Sequence, residues 1–417
     1  MTMRKNNWMA LAGLLLVFSM CPSWLGADAP KYHGRRVVGY YTAWSIYARK
    51  FEVSQIPAER LTHINYAFAN VSPKGECVLG DPQADVLKTY PGDKQTDPIK
   101  GNFNQLLLLK RKNPHLKTLI SVGGWSWSAR FSDTALTPDS RRRFASSCVA
   151  FIKRYRFDGV DIDWEFPVAG GKPGNKQRPE DKRNLTLLLA ELRRQLHAQG
   201  KKDKRDYLLT IAVTAAPGKI RNLEVEAIAR QLDWINVMTY DFSGSWSPRT
   251  GFNSPLFAPA DSPRPEDAGL NATVAVQTSL KAGLPRNKLV LGVPFYGRGW
   301  KEVLDEHHGL YQPHQGVPRG TWEPGSFDYK DLRRNYLGRF ARHWDNVAKV
   351  PWLYDARTRT MVSYDDVESV SAKSHYVAQQ KLGGVMIWEL SQDTTDNSSL
   401  LRAISTVLSK KPQISHR

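Results

Sequence analysis

Cysteine is scarce in this chain. Cys21, Cys77 and Cys148 are the only three in 417 residues, too few for a disulfide-built scaffold and without the spacing of a zinc site. No metal and no cofactor are expected. No apolar run reaches the about 20 residues that a membrane-spanning helix needs, and neither low-complexity tracts nor an internal repeat is evident. With 41% hydrophobic and 24% charged residues, and 30 Gly and 25 Pro spread along the chain, a coiled coil, a collagen and a wholly disordered protein are excluded. A basic stripe is missing too. Lys and Arg outnumber Asp and Glu by 59 to 40, a net charge of +19, but the positive residues are dispersed over probable helices (Arg141, Arg142 and Arg143; Arg193 and Arg194; Lys201 and Lys202; Arg333 and Arg334). They read as solvated faces, and no nucleic-acid partner is expected.

The N-terminus sets the compartment. Arg4 and Lys5 precede an apolar stretch over 9–20, followed by a short segment ending in small residues at Gly26 and Ala27, the layout of a secretory signal. Cleavage after Ala27 (signal 1–27) removes Arg4 and Lys5 and takes the net charge from +19 to +17. The mature chain is then expected outside the cell or in the periplasm, as a monomer free of the membrane. Cys77 and Cys148 remain. They can form at most one disulfide, and spacing alone leaves their pairing open.

Short β-rich runs alternate with stretches of helical periodicity. Eight such runs fall at 36–44, 63–71, 117–125, 159–166, 208–217, 234–242, 288–298 and 383–390, with helices expected at 102–112, 138–155, 179–199, 223–231 and 271–282. Eight β-runs separated mainly by helices predict an α/β fold, a parallel (β/α)8 TIM barrel. About 85 residues separate the last two runs, too many for an unstructured loop. A small α+β domain, inserted between strands 7 and 8, is therefore expected over 299–370, with the barrel at 31–298 and 371–410. The turn-rich segment 72–100 reads as a surface excursion.

The segment 157–167 carries the densest chemistry. Side chains alternate along a strand, so Asp161, Asp163 and Glu165 share one face and Val160, Ile162 and Trp164 the other. With the apolar set against helices, the acids point into the barrel and climb to its C-terminal mouth, Glu165 outermost, where barrel enzymes keep their sites. Carboxyls so spaced cannot all ionise cheaply, so at least one should stay protonated near neutral pH, as a general acid requires. Asp158, of opposite parity to the acids, is expected to be structural. Aromatic and hydrogen-bonding groups end the other runs: Tyr40, Phe68, Ser121, Gly124, Trp125, Met238, Tyr240, Asp241, Tyr296, Arg298 and Trp388. Around one acid row they suggest an aromatic cleft for a neutral, polyhydroxy substrate.

These residues resemble the chitinases of glycoside hydrolase family 18. Positions 158–165 fit that family's DxxDxDxE signature, 121–124 its SxGG motif, 238–241 its MxYD motif, 294–298 the stretch before its inserted domain, and Trp388 the Trp that closes the last strand. Segments 80–85 and 178–182 look like the secreted bacterial members that carry the insertion. The resemblance implies hydrolysis of β-1,4 bonds in chitin or chito-oligosaccharides, with retention, by substrate-assisted catalysis. In it Glu165 is the acid and then the base, Asp163 holds the acetamido N–H, Asp161 tunes both neighbours and Tyr240 bonds the acetamido oxygen. Trp388 is implied as the floor under the distorted sugar, Asp241 and Arg298 as sugar-hydroxyl partners, Tyr40 and Ser121 as supports of the acid row, and Trp125 and Trp246 as stacking platforms. Phe68, Gly124, Met238 and Tyr296 complete the expected substrate-binding set. Two other substrates are implied by relatives, the glycans of glycoproteins and peptidoglycan, and a third class is a catalytically silent chitin-binding lectin. Little sequence flanks the barrel, so no separate binding module, and weak action on crystalline chitin, are expected.

Overall fold

The computed structural model describes residues 31–410 except Gln95. The expected signal, 1–27, lies outside the described residues. Eight parallel strands close on themselves: β1 (Arg36–Thr42), β2 (His63–Val71), β3 (Lys117–Gly123), β4 (Gly159–Asp163), β5 (Leu208–Thr214), β6 (Trp234–Met238), β7 (Leu289–Pro294) and β8 (Gly384–Trp388). Each pairs with its sequence neighbour, and β1 pairs with both β2 and β8, completing the barrel. This is the (β/α)8 architecture that the alternation of runs predicts. Most strands are buried on both faces, which is why they read as near-continuous apolar runs.

Helices fill the outer layer where periodicity places them, at Gly101–Lys112, Pro138–Tyr155, Asp181–Asp203, Val225–Gln231 and Ala272–Lys281, and two further ones follow at Val367–Gln379 and Leu400–Ser409. Pro138–Tyr155 begins on a reciprocal cap, the Thr137 hydroxyl accepting from Ser140 N while the Ser140 hydroxyl takes the Thr137 N–H, with Pro138 in the first turn, where its missing N–H costs nothing. Val160, Ile162 and Trp164 face this layer, and Trp164 stacks on Phe131 with centroids 5.5 Å apart. A separate cluster of Val38, Tyr40, Phe68, Leu119, Trp234, Tyr240 and Met386 fills the barrel interior. Asp158 is buried at the foot of β4, bound by Lys110 Nζ and Arg205 Nη2 at 2.5 Å each and by Thr118 N at 2.8 Å. It joins helix Gly101–Lys112 and the turn after helix Asp181–Asp203 to the strand entrance, a structural duty.

Between β7 and β8 runs a five-stranded antiparallel sheet, made of Tyr296–Trp300, Ser326–Asp328, Ala341–Asp345, Val350–Asp355 and Thr360–Ser363. Trp300, Tyr311, Trp352 and Tyr354 form its own small core. The boundaries expected at 298/299 and 370/371 cut through strand Tyr296–Trp300 and helix Val367–Gln379. The chain leaves the barrel directly after Pro294, so Tyr296 and Arg298 belong to the second sheet. The excursion 72–100 adds a two-residue strand, Cys77–Val78, antiparallel to the end of β2. Cys77 and Cys148 are both buried and carry free thiols. No helix among the described residues is long and apolar enough to cross a membrane.

Candidate active site

A cleft of about 1210 Å³ opens at the C-terminal mouth of the barrel, with the second sheet as one wall. The acid row climbs from the barrel interior into it. Asp161, at the bottom, is completely buried and saturated: Tyr40 and Ser121 donate their hydroxyls to Oδ2 at 2.7 Å each, and Thr210 Oγ1 and Asn236 Nδ2 donate to Oδ1 at 2.5 and 3.4 Å. Burial raises its pKa while these donors pull it down. Asp163, one step up, lines the cleft, and its buried Oδ1 has no hydrogen-bond partner among the described residues. Burial, then the neighbouring Glu165 and Asp161, push its pKa well above the carboxylate range.

Glu165 lies past the end of β4, its N–H held by Ser128 Oγ at 2.9 Å. Burial, then Asp241, raise its pKa to about 7, against the opposing charge of Lys219. Strand β4 reaches its neighbour closely here. A Cβ on Gly123, whose φ is +110°, would come within 2.3 Å of Asp163 O, so only glycine lets β3 pass the acid row at this level.

Tyr240 closes the opposite side. Among the described residues its hydroxyl meets only Met386 Sδ, at 3.8 Å, and burial with the surrounding acids keeps it protonated, a donor aimed at no strong acceptor of its own. Trp388 lies at the floor, stacked on Phe68 (5.7 Å, 24°) and tilted against Tyr40 (5.4 Å). Asp241 and Arg298 bind each other, at 2.7 Å, and Tyr296 donates to Asp241 at 2.8 Å. Trp125 and Trp246, 50% and 59% exposed, stand on the rim, and Arg298 lies over Trp246 at 5.4 Å. Met238 lines the cleft as well.

Two residues of the expected site, the acid-row support Ser121 and the substrate-binding candidate Gly124, lie beneath the cleft surface. Ser121 is fully buried because its strand position faces Asp161, not the opening. Gly124 packs under the Phe68 ring, where a Cβ would sit 2.6 Å from it. Sequence reasoning also passed over Thr210, Asn236, Lys219, Trp322 and the Arg49–Asp328 pair, in which Arg49 Nη1 donates at 2.5 Å and covers Trp322 at 5.4 Å. Thr210 was within reach, because it pairs with Asp161 in register and faces the same interior.

Comparison with known proteins gives this constellation its context. The sequence pattern of the family described as Glycosyl hydrolases family 18 matches residues 36–393, most of the chain. The chain belongs to glycosyl hydrolase family 18. Within family 18 it is 46% identical over 403 residues to Chitinase A1 of Niallia circulans, covering 88% of this chain and 58% of that protein. It is 37% identical over 379 residues to Endochitinase 1 of Metarhizium robertsii, covering 88% of this chain and 84% of that one. Among solved structures, Chitinase ChiA74 from Bacillus thuringiensis superimposes with a TM-score of 0.86 at 40% identity, over 91% of this chain and 70% of that chain. The catalytic domain of chitinase B from Arthrobacter TAD20 does so with 0.85 at 32% identity, over 91% and 97%. The chain thus spans little more than half of Chitinase A1 and nearly all of the Arthrobacter catalytic domain.

Proposed function

We propose that this family 18 member is a chitinase, a hydrolase of β-1,4 bonds between N-acetylglucosamine units, acting with retention through the substrate's own acetamide. The observation that carries the reading is the unpartnered, buried Asp163 Oδ1 at the cleft surface, flanked by a saturated Asp161 below and a Glu165 protonated up to about 7 above. A buried acceptor left empty is costly unless something fills it. An acetamido N–H does so.

In the first step Glu165 gives its proton to the leaving glycosidic oxygen while the acetamido carbonyl oxygen of the sugar on the non-reducing side attacks the anomeric carbon. The C–O bond breaks, and an oxazolinium ion forms. Asp163 takes the N–H, and the carboxylate left on Glu165 balances the positive charge. Tyr240, whose hydroxyl has no competing acceptor stronger than Met386 Sδ, bonds the carbonyl oxygen and holds it near the attack trajectory. In the second step the carboxylate of Glu165 takes a proton from water, which opens the ring from the face the leaving group vacated, so the β-configuration returns. Trp388, backed by Phe68 and Tyr40, supports the distorted sugar, while Trp125 and Trp246 offer exposed rings to further units along the chain. The same reading has the protein exported on its N-terminal leader as a monomer, in the manner of secreted bacterial enzymes, and feeding polysaccharide breakdown.

The test is hydrolysis of N-acetylglucosamine tetramer to hexamer beside the fully deacetylated oligomers. Cleavage of the acetylated series alone is expected. Equal cleavage of both would remove the acetamide from the mechanism, and tight binding without cleavage would make the protein a lectin.

A further inference from the structure

Lys219 stands in the cleft without a role in the reaction described above. It lies on the short helix Pro217–Ile220 that follows β5, and its ammonium sits 4.2 Å from the centroid of Phe166, the residue next to Glu165. The loop after β4 closes over it: a Cβ on Gly170 would come within 2.9 Å of Nζ. Among the described residues Nζ has no hydrogen bond and no ion pair, and the acid whose charge it feels is Glu165. The other cations of the cleft are matched, Arg298 by Asp241 at 2.7 Å and Arg49 by Asp328 at 2.5 Å. Lys219 is therefore the unmatched positive charge beside the acid row.

We propose that Lys219 is a positioning residue for the proton of Glu165, its charge keeping the ionised carboxyl accessible so that one residue can act first as acid and then as base. The groups facing Glu165 otherwise favour its protonated form. Asp161 and Asp163 lie below it on β4, and Asp241 faces it from the end of β6. Tyr40, Tyr240 and Tyr296 are neutral, and the charge of Arg298 is engaged by Asp241. An acid surrounded in this way holds its proton tightly and is a poor donor to the leaving oxygen, and its ionised form is sparsely populated, unless a cation offsets the row. Lys219, approaching from the β5 side, is placed to do so.

The inference rests on the proposed hydrolysis, and the test separates the two. Lys219→Met keeps the aliphatic stem over Phe166 and removes the charge; Lys219→Arg keeps the charge; Lys219→Gln serves if the Met variant folds poorly. The readouts are the pH profile of kcat/KM on N-acetylglucosamine hexamer at low salt, and the titration of the Glu165 carboxyl followed by 13C NMR, assigned against Glu165→Gln. Loss of the positive charge should move the alkaline limb and the carboxyl titration upward by about half a pH unit or more, and Lys219→Arg should leave both near the wild-type position. High salt should carry the wild type part of the way toward Lys219→Met. Coincident titrations of wild type and Lys219→Met, with both folded, would overturn the inference. A moved NMR titration in a protein that cleaves no oligomer would sink the chitinase reading and leave the inference standing.

Discussion

Replacing Tyr240 by Phe separates a catalytic duty from a structural one. The hydroxyl is buried, yet its only neighbour in hydrogen-bond range is Met386 Sδ at 3.8 Å, a weak acceptor. Removing it strands no buried partner, so the folding free energy should change by no more than about 0.5 kcal/mol, below the about 1 kcal/mol of an ordinary internal hydrogen bond. In the reaction the same hydroxyl meets an acetamido oxygen that is gaining bonding to carbon, beside acids that carry charge. The duty of the hydroxyl is to hold the nucleophilic oxygen on the attack path, and a misplacement of about 1 Å costs on the order of 10²-fold in rate, about 2.7 kcal/mol. Tyr240→Phe should therefore lower kcat on N-acetylglucosamine hexamer by one to two orders of magnitude, with KM changed only a few-fold and the melting temperature within about 2 °C of wild type. An unchanged kcat, or a loss of kcat that tracks a large fall in melting temperature, would refute the reasoning.

Glu165→Gln should retain oligosaccharide binding by calorimetry while kcat falls by roughly 10² or more, the scale of general acid–base catalysis. The same variant tests the raised pKa. Folding holds the Glu165 proton up to about 7 against the usual 4.5, so the folded state gains relative stability below 4.5 and loses it as pH climbs through that window; Gln has no such proton. Melting temperatures of variant and wild type should nearly agree at low pH, with the variant the more stable by pH 8. Asp163→Asn should lower kcat on N-acetylglucosamine hexamer, because the carboxyl whose Oδ1 stands unpartnered is replaced by an amide that can turn its NH2 toward the acetamido N–H. Away from the cleft, Lys373 is completely buried with Nζ at 2.6 and 2.8 Å from the Asp365 carboxylate and 2.7 Å from Ser254 Oγ. Lys373→Met leaves that carboxylate uncompensated and should cost about 3–5 kcal/mol by denaturant unfolding, with kcat at low temperature little changed.

The barrel was legible because its strands are apolar on both faces and alternate with stretches of helical periodicity, signals that lie within short windows. The acid row was legible for the same reason: alternation along one strand puts Asp161, Asp163 and Glu165 on one face. Interactions between distant elements were not. Tyr296, Arg298 and Asp241 form one network across 55 to 57 residues of sequence, and nothing local says that a strand of the second sheet will meet the end of β6. Thr210 and Asn236 looked like ordinary small polar residues until the register placed them on Asp161. Ser121 and Gly124 carried a motif, yet depth along a strand decides whether a residue touches solvent or lies under the floor, and a motif does not encode depth. The insertion was expected from excess length, but its edges followed pairing with Tyr296–Trp300, which a count of residues cannot locate.

The most direct test of the account follows the anomers. Early-time proton NMR of N-acetylglucosamine hexamer hydrolysis, recorded faster than mutarotation, should show the β-anomer of the new reducing ends first, as attack by the acetamide and then by water requires. Initial appearance of the α-anomer would mean a single displacement by water, and the assignment of the nucleophile to the substrate, with Asp163 and Tyr240 as its holders, would fall.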